Sequence, residues 1–98
     1  MQYDFEWNLK KAATNQDKHK ITFELSATVF KDPRALSLYD EGHNLDEDRW
    51  ITLGLSEKGS LLKVHHTYRH TDEETVTIRI ISSRKATKNE TRQYTELP

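Results

Sequence analysis

Residues 49–83 constrain the fold most strongly, because apolar and polar side chains alternate there in three successive runs. These runs are RWITLGLS, LLKVHHTYR and TVTIRIISS, and the polar segments EKGS and HTDEE separate them. Successive side chains of a strand point to opposite faces of a sheet, so a period of two predicts half-buried strands. Short turns between such runs predict hairpins. We therefore predict three consecutive antiparallel strands.

Shorter elements flank these strands. YDFEW, at residues 3–7, alternates in the same way, and ALSLYD, at residues 35–40, also has the pattern of a strand. Asn8 is a good helix cap before LKKAATNQDKH, Thr22 caps a second helix that KDPR ends, and KATKNETRQYTE predicts a polar helix. The order β-α-α-β-β-β-β-α predicts an α+β fold, with a small antiparallel β-sheet, two N-terminal helices packed on it and a C-terminal helix.

The chain of 98 residues is expected to form one domain over residues 1–98, since no repeat, low-complexity tract or internal boundary divides it. It contains no cysteine, which excludes disulfides and thiolate metal sites and favours the reducing cytoplasm. No apolar run approaches the roughly 20 residues of a membrane span, and the N-terminus is unlike a signal peptide. We therefore expect a cytoplasmic protein without membrane contact.

Charge is distributed unevenly along the chain. Residues 1–48 contain six Lys/Arg and ten Asp/Glu, whereas residues 49–98 contain nine and six. A basic second half on a chain of net charge −1 favours a local anionic partner over general adhesion to nucleic acid. An ordinary solvated helix surface explains the same charges equally well, so charge alone does not decide.

Alternation also sorts the strand residues onto two faces. The predicted core face carries apolar residues: Ile51, Leu53, Leu55, Leu62, Val64, Val76, Ile78 and Ile80. The predicted polar face carries basic and hydroxyl residues: Thr52, Lys63, His65, Thr67, Arg69, Thr77 and Arg79. His66 continues the core row to the rim of the sheet, and a one-residue bulge would exchange it with His65. Antiparallel sheets often wet one face for solubility, so the function of this face stays open here.

Short motifs in order along the chain resemble those of the BrnT toxins of type II toxin–antitoxin pairs. The matching residues are 5–7, 11–12, 15, 18–19, 23–24, 29–33, 49–56, 66–69, 78–87, 90 and 94. Each motif is short, and their combination covers nearly the whole chain. The sequence departs from the family pattern at Lys20, where glycine is usual, at Ser83, where alanine is usual, and at residues 25–26. These differences concern local geometry more than the charged positions.

The resemblance implies a RelE-like fold and a ribonuclease that inhibits translation, neutralised by a ribbon-helix-helix, BrnA-like antitoxin. RNA is the implied substrate, free or on the ribosome. The implied assembly is a hetero-oligomer with the antitoxin, which alone would contact DNA. The acidic segment at residues 39–49 would face away from DNA or shield the cleft. The alternative is an inactive member that only pairs with its antitoxin in operator regulation.

Metal-independent cleavage by the 2′-OH of RNA needs a base, an acid and cations for the charged phosphorane. Arginine forks bind phosphate oxygens, and histidine titrates near neutrality. The catalytic candidates are therefore His66, Arg69, Arg79, Arg84, Glu90 and Tyr94. The RNA-binding candidates are Lys18, His19, Arg49, Lys63, His65 and Lys85. Lys18 and His19 would equally well satisfy carbonyls at a helix end, and no cofactor is expected.

Two further interpretations concern histidine and tryptophan. His65, His66 and His70 together suggest a metal site, but adjacent strand residues point to opposite faces and no cysteine assists. Trp7 and Trp50 are each able to stack on a base, although a tryptophan in a small core is commoner. We therefore predict no metal site and structural tryptophans.

Overall fold

The computed structural model describes residues 1–43 and 48–96. Its strands and helices are β1 (Gln2–Trp7), α1 (Leu9–His19), α2 (Phe23–Ala27), β2 (Leu36–Tyr39), β3 (Arg49–Leu55), β4 (Leu61–Thr67), β5 (Arg69–His70), β6 (Thr75–Lys85) and α3 (Lys88–Glu96). Short 3-10 helices occupy Thr28–Lys31 and Glu41–His43. The predicted α+β class is confirmed, and β5 is a short strand that the sequence did not predict. Residues 44–47 of the predicted acidic loop lie outside the described residues.

Local signals set the ends of the first two helices. The side chains of Asn8 and Thr22 each accept a backbone N–H of the first turn, at 3.1 Å, so both predicted caps are confirmed. After α1, Lys20 adopts a left-handed conformation with φ of 61°, and its backbone N–H bonds the Gln16 carbonyl at 2.9 Å. Glycine adopts this conformation without a Cβ penalty, so Lys20 ends the helix at a small cost.

The sheet contains antiparallel and parallel pairs. The strand order is β1-β6-β4-β3-β2, and β5 also pairs with β6. The pairs β2–β3, β3–β4 and β4–β6 are antiparallel, as predicted. However, β1 runs parallel to β6, with Phe5 opposite Ile78, so the prediction of an antiparallel sheet is wrong at this edge. Because no tight turn links β1 to β6, no local signal in the sequence sets their relative direction.

One face of the sheet, here called the core face, carries the main apolar cluster. Its strand members are Leu62, Val64, Val76, Ile78 and Ile80, all at most 1% exposed, and these predicted core residues are confirmed. Phe23 of α2 and Val29 of the following 3-10 helix are both fully buried against them. Burial of such side chains away from water supplies the main favourable free energy of folding.

The side chains of strand β3 point to the opposite faces of the sheet from those predicted. Its register places Thr52 opposite Val64 and Gly54 opposite Leu62, so Thr52 and Gly54 belong to the core face. A Cβ on Gly54 would lie 3.0 Å from the Val29 Cβ, so this position on the core face has no room for a side chain. Thr52 is therefore 1% exposed rather than on the wet face.

The remaining residues of β3 point away from the core face. Ile51, Leu53 and Leu55 lie on the other side of the sheet, where Ile51 and Leu53 line a hollow with Gln93 of α3, and Leu55 is 43% exposed. The prediction that these three residues lie on the core face is wrong. For Ile51 and Leu53 the reason is that α3 lies beside them on the other face, and an apolar row does not indicate which layer covers it.

A bulge interrupts β6. His65 of β4 pairs with Ser82, whereas His66 pairs with Ile80, so Ile81 is an extra residue. Because the bulge lies in β6 and not in β4, His66 keeps its place on the core face.

Helix α1 continues the sheet edge where β1 stops. The last β1 pair is Trp7 with Ile80, which leaves the edge of β6 open beyond it. Asn15, 5% exposed, accepts the Ser83 backbone N–H and donates to the Ile21 carbonyl, both at 3.0 Å. Its amide thus satisfies one backbone group of the β6 edge and one of the segment that follows α1. Within the described residues, no helix combines the length and apolar character that crossing a bilayer would require.

Candidate functional site

The face opposite the core face collects most of the basic strand residues, and we call it the cationic face. Alternation along β4 places Lys63, His65 and Thr67 there, and the register adds their partners on β3 and β6. The basic members of the cationic face are Arg49, Lys63, His65, Arg69, Arg79 and Arg84. All six are candidates from the sequence, so strand alternation and pairing bring half of the twelve candidates onto one surface.

A cleft of about 290 Å³ lies at one end of this face, and we call it the arginine cleft. Arg69 and Arg79 line it together with the hydroxyl-bearing Thr67 and Thr77. Two guanidinium groups and two hydroxyls on one concave surface form a set of donors suited to a phosphate group.

The arginine cleft also contains carboxylates that were not identified from the sequence. Glu6 is the register partner of Arg79 across the parallel β1–β6 pair, and Asp48 lines the same cleft. Tyr39 donates its hydroxyl to Asp48 at 3.1 Å. Glu6 alternates with Phe5 in the sequence, but only the unpredicted pairing of β1 with β6 brings it beside Arg79. Glu6 could therefore be identified as a cleft residue only from the tertiary structure.

A second charged cluster holds α3 against the cationic face. Arg84 donates two hydrogen bonds to the Glu90 carboxylate, at 2.8 and 3.0 Å, and the Lys63 ammonium lies 3.1 Å from it. The Arg84 hydrogen bonds lower the pKa of Glu90 to about 2. Glu90 also accepts the Thr87 backbone N–H while Thr87 caps the Glu90 N–H, which forms a capping box at the start of α3. Three candidates from the sequence thus pair with one another.

Tyr94 is bonded away from the arginine cleft. Its hydroxyl donates to the Asp32 carboxylate at 2.6 Å, and the same oxygen accepts the Leu55 backbone N–H at 2.8 Å. The bond to Asp32 raises the pKa of Tyr94. The contact joins α3 to the turn before β2.

His66 lies on the core face and is 1% exposed. Its Nδ1 is 2.9 Å from the Thr67 carbonyl, which can only accept, so Nδ1 carries the proton. Its Nε2 therefore accepts from the Thr52 hydroxyl at 2.6 Å. Burial lowers the pKa of His66 to about 4, because the charged imidazolium would lose its hydration. The structure thus separates this neutral histidine from Arg69 and Arg79.

The remaining candidates occupy three different places. His65 lies on the cationic face two residues from Thr67, about 6.7 Å along the strand. Lys18 and His19 line a separate groove between α1 and β6. Lys85 is exposed at the end of β6.

His65 and His66 point to opposite faces, and among residues 1–43 and 48–96 no three His, Asp or Glu side chains gather as a metal site.

Comparisons with known proteins agree with this architecture. The family model described as "Ribonuclease toxin, BrnT, of type II toxin-antitoxin system" matches residues 7–90. The crystal structure of the Brucella abortus ribonuclease toxin BrnT superposes with a TM-score of 0.60, covering 90% of this chain and 100% of that one. Sequence identity is 18%, so this structure supports the fold alone. No protein of curated function matches the sequence.

Proposed function

Because the chain belongs to the BrnT family of type II ribonuclease toxins, we propose that it is an endoribonuclease that cleaves RNA in the arginine cleft. The observation that carries the proposal is the convergence of Arg69 and Arg79 with two hydroxyl side chains in one cleft. Two-point guanidinium contacts neutralise a phosphodiester and stabilise the extra negative charge of the phosphorane.

The proposed reaction uses the 2′-OH of the substrate as nucleophile. A base removes the 2′ proton, the 2′ oxygen forms a bond to phosphorus, and the 5′ oxygen leaves with a proton from an acid. The products are a 2′,3′-cyclic phosphate and a 5′-OH. We assign proton transfer to Glu6 and His65, because Glu6 borders Arg79 and His65 lies on the same face. This assignment replaces His66, whose two ring nitrogens are bonded inside the core face.

The cluster of Lys63, Arg84 and Glu90 has a supporting role in this proposal. The Glu90 carboxylate neutralises part of the cationic face at the α3 end, so Lys63 and Arg84 position α3 in this proposal and RNA binds at the arginine cleft. The same neutralisation favours the alternative function, a toxin fold that only binds its antitoxin. We also propose that the fold is RelE-like, as the family resemblance implies.

A type II toxin family implies an antitoxin partner as well as an RNA substrate. We propose a BrnA-like, ribbon-helix-helix antitoxin whose acidic and apolar segment covers the cationic face, since complementary charge gives tight and specific cover. The pair would form a hetero-oligomer that contacts DNA through the antitoxin. The free toxin would cleave transcripts in the cytoplasm, on the ribosome or off it, and so inhibit translation.

The deciding experiment follows cell growth and RNA integrity together after induced expression, and then product ends with the purified chain. Cleavage should proceed in EDTA and leave 2′,3′-cyclic phosphates, because guanidinium groups provide the charge that a metal ion would provide. An RNA carrying 2′-O-methyl groups is the matched control and should stay intact. Growth arrest without RNA loss would favour the binding-only alternative. Cleavage that stops in EDTA and returns with Mg²⁺ would contradict the proposed mechanism.

A further inference from the structure

A second concavity, on the core face, is lined almost entirely by aromatic side chains. Its volume is about 370 Å³, within the range of roughly 300–1,000 Å³ common for small-ligand pockets. We call it the aromatic pocket, and its lining residues are Tyr3, Phe30, Ser37, Trp50, His66 and Tyr68. None of the residues assigned to the proposed reaction lines this pocket.

The aromatic rings of the pocket form two pairs beside His66. Tyr3 and Phe30 lie edge to face with ring centres 6.3 Å apart, and Trp50 and Tyr68 are also 6.3 Å apart. Phe30 packs edge-on against the His66 ring at 4.8 Å. Tyr3 is 41% exposed, so its ring does not complete a sealed core. Aromatic rather than aliphatic walls are typical of sites that stack on flat rings.

A chain of hydrogen bonds determines whether Ser37 donates a hydrogen bond to a ligand or accepts one from it. His66 donates its Nδ1–H to the Thr67 carbonyl, so its Nε2 accepts the hydrogen bond that the Thr52 hydroxyl donates. Ser37 lies 2.8 Å from the Thr52 hydroxyl and must therefore donate to it. The Ser37 oxygen keeps acceptor capacity but no proton for a ligand. It consequently suits an N–H group on the edge of a base.

The aromatic pocket and the arginine cleft meet at the end of β4. Tyr68 lines both concavities. Thr67 lines the arginine cleft, while its carbonyl accepts the hydrogen bond from His66 in the aromatic pocket. Each nucleotide joins a phosphate to a flat base, so one RNA segment that turns around the strand end would satisfy both surfaces.

We propose that the aromatic pocket binds one unpaired nucleobase of the RNA whose phosphate occupies the arginine cleft, through ring stacking and an N–H bond to Ser37. This rests on the proposed ribonuclease function, and it makes single-stranded RNA the substrate class, since a base held in a duplex cannot enter the pocket. An antitoxin side chain is the competing occupant.

Trp50 fluorescence tests the occupant directly. In a Trp7→Phe protein Trp50 is the remaining tryptophan, whereas a Trp50→Phe protein reports only from Trp7, which packs against Phe23 in the core. The probes are short 2′-O-methyl oligoribonucleotides, which lack the attacking hydroxyl, and matched oligonucleotides with abasic sites. We expect the intact oligonucleotide to quench Trp50 and not Trp7. Removal of the bound base should weaken binding about fivefold to a hundredfold.

Two variants of the aromatic pocket test ring stacking and the hydrogen bond to Ser37 separately. Tyr3→Leu should weaken binding of the intact oligonucleotide and not of the abasic one, and Ser37→Ala should do so to a smaller degree. Equal affinity for intact and abasic oligonucleotides would overturn the base pocket, as would cleavage of natural RNA with Trp50 unquenched. Quenching by a co-expressed antitoxin but not by RNA would assign the pocket to the antitoxin. Base-dependent quenching without cleavage of natural RNA would support the pocket and overturn only the proposed reaction.

Discussion

Arg84 and Glu90 form a two-point ion pair, with Nη1 2.8 Å from Oε1 and Nη2 3.0 Å from Oε2. The pair fastens α3 to the cationic face, and none of the residues Lys88–Glu96 is buried. Polar contacts therefore provide most of what positions α3, with the bond between Tyr94 and Asp32 as a second anchor. Three of the four residues in these anchors, Arg84, Glu90 and Tyr94, are catalytic candidates from the sequence, whereas Asp32 is not.

The Glu90 pair predicts a stability loss in acid. Its pKa in the folded chain, about 2, lies below the ordinary value of 4.5, because Arg84 donates hydrogen bonds to the charged form. A depressed carboxyl pKa contributes stability that is present above pH 4.5 and is lost as the pH falls from 4.5 towards 2. Urea unfolding at several pH values should show a steeper acid loss for the native chain than for Glu90→Gln. Equal pH dependence of the two proteins would contradict this role.

Arg69→Ala and Arg79→Ala should each abolish toxicity without unfolding the chain. Each removes a charged donor from the arginine cleft, and we expect kcat/KM for RNA cleavage to fall on the order of a hundredfold. Arg92→Ala is the matched control, because Arg92 is an exposed arginine on α3 that does not line the cleft. Circular dichroism and thermal unfolding establish that the variants fold. Folded variants with full activity would remove Arg69 and Arg79 from the proposed site.

His65→Ala and His66→Ala should separate catalysis from stability. Loss of His65 should lower the cleavage rate by about a hundredfold or more and alter its pH profile, as expected for a proton-transfer group. Loss of His66 leaves the Thr52 hydroxyl and the Thr67 carbonyl without their partner, and should cost about 2–4 kcal/mol of unfolding free energy. Chemical denaturation and cleavage assays on both variants measure this. The reverse result, with His66→Ala folded and inactive, would restore His66 as the proton-transfer residue.

Lys20→Gly should stabilise the chain by about 0.5–1 kcal/mol. Lys20 holds a left-handed φ of 61°, which costs a residue with a Cβ more than it costs glycine. Lys20→Ala is the control, since alanine keeps the Cβ and should bring no gain. The free energy of unfolding from urea titration gives both values. A loss of stability in Lys20→Gly would show that the bond from the Lys20 ammonium to the Asp17 carbonyl outweighs the backbone strain.

Co-expression with the proposed ribbon-helix-helix antitoxin should give a stable complex larger than one toxin chain. Charge reversal by Arg69→Glu or Arg79→Glu should weaken that complex, because the antitoxin is expected to place acidic residues there and on residues 83–87. Arg92→Glu changes charge by the same amount outside the arginine cleft and serves as control. Native mass measurement of the co-purified proteins tests the pairing. A toxin that stays monomeric beside this partner would exclude it.

Local sequence signals predicted much of the fold. Asn8 and Thr22 cap their helices as expected, and the period of two correctly marked the strands, because capping and side-chain alternation depend only on residues a few positions apart. The same alternation correctly predicted that Leu62 and Val64 of β4 and Val76, Ile78 and Ile80 of β6 lie in the core. The short family motifs identified the family that the family model also matches.

Tertiary structure decided the pairings between distant segments. An apolar row on a strand shows that some layer covers it but not which one, so Ile51 and Leu53 were assigned to the wrong face. Neither the parallel pairing that brings Glu6 to Arg79 nor the ion pair between Arg84 and Glu90 follows from any period in the sequence. The candidate site therefore could be predicted only as a set of residue types. Its geometry depends on contacts between segments far apart in the chain, which strand register and packing select together.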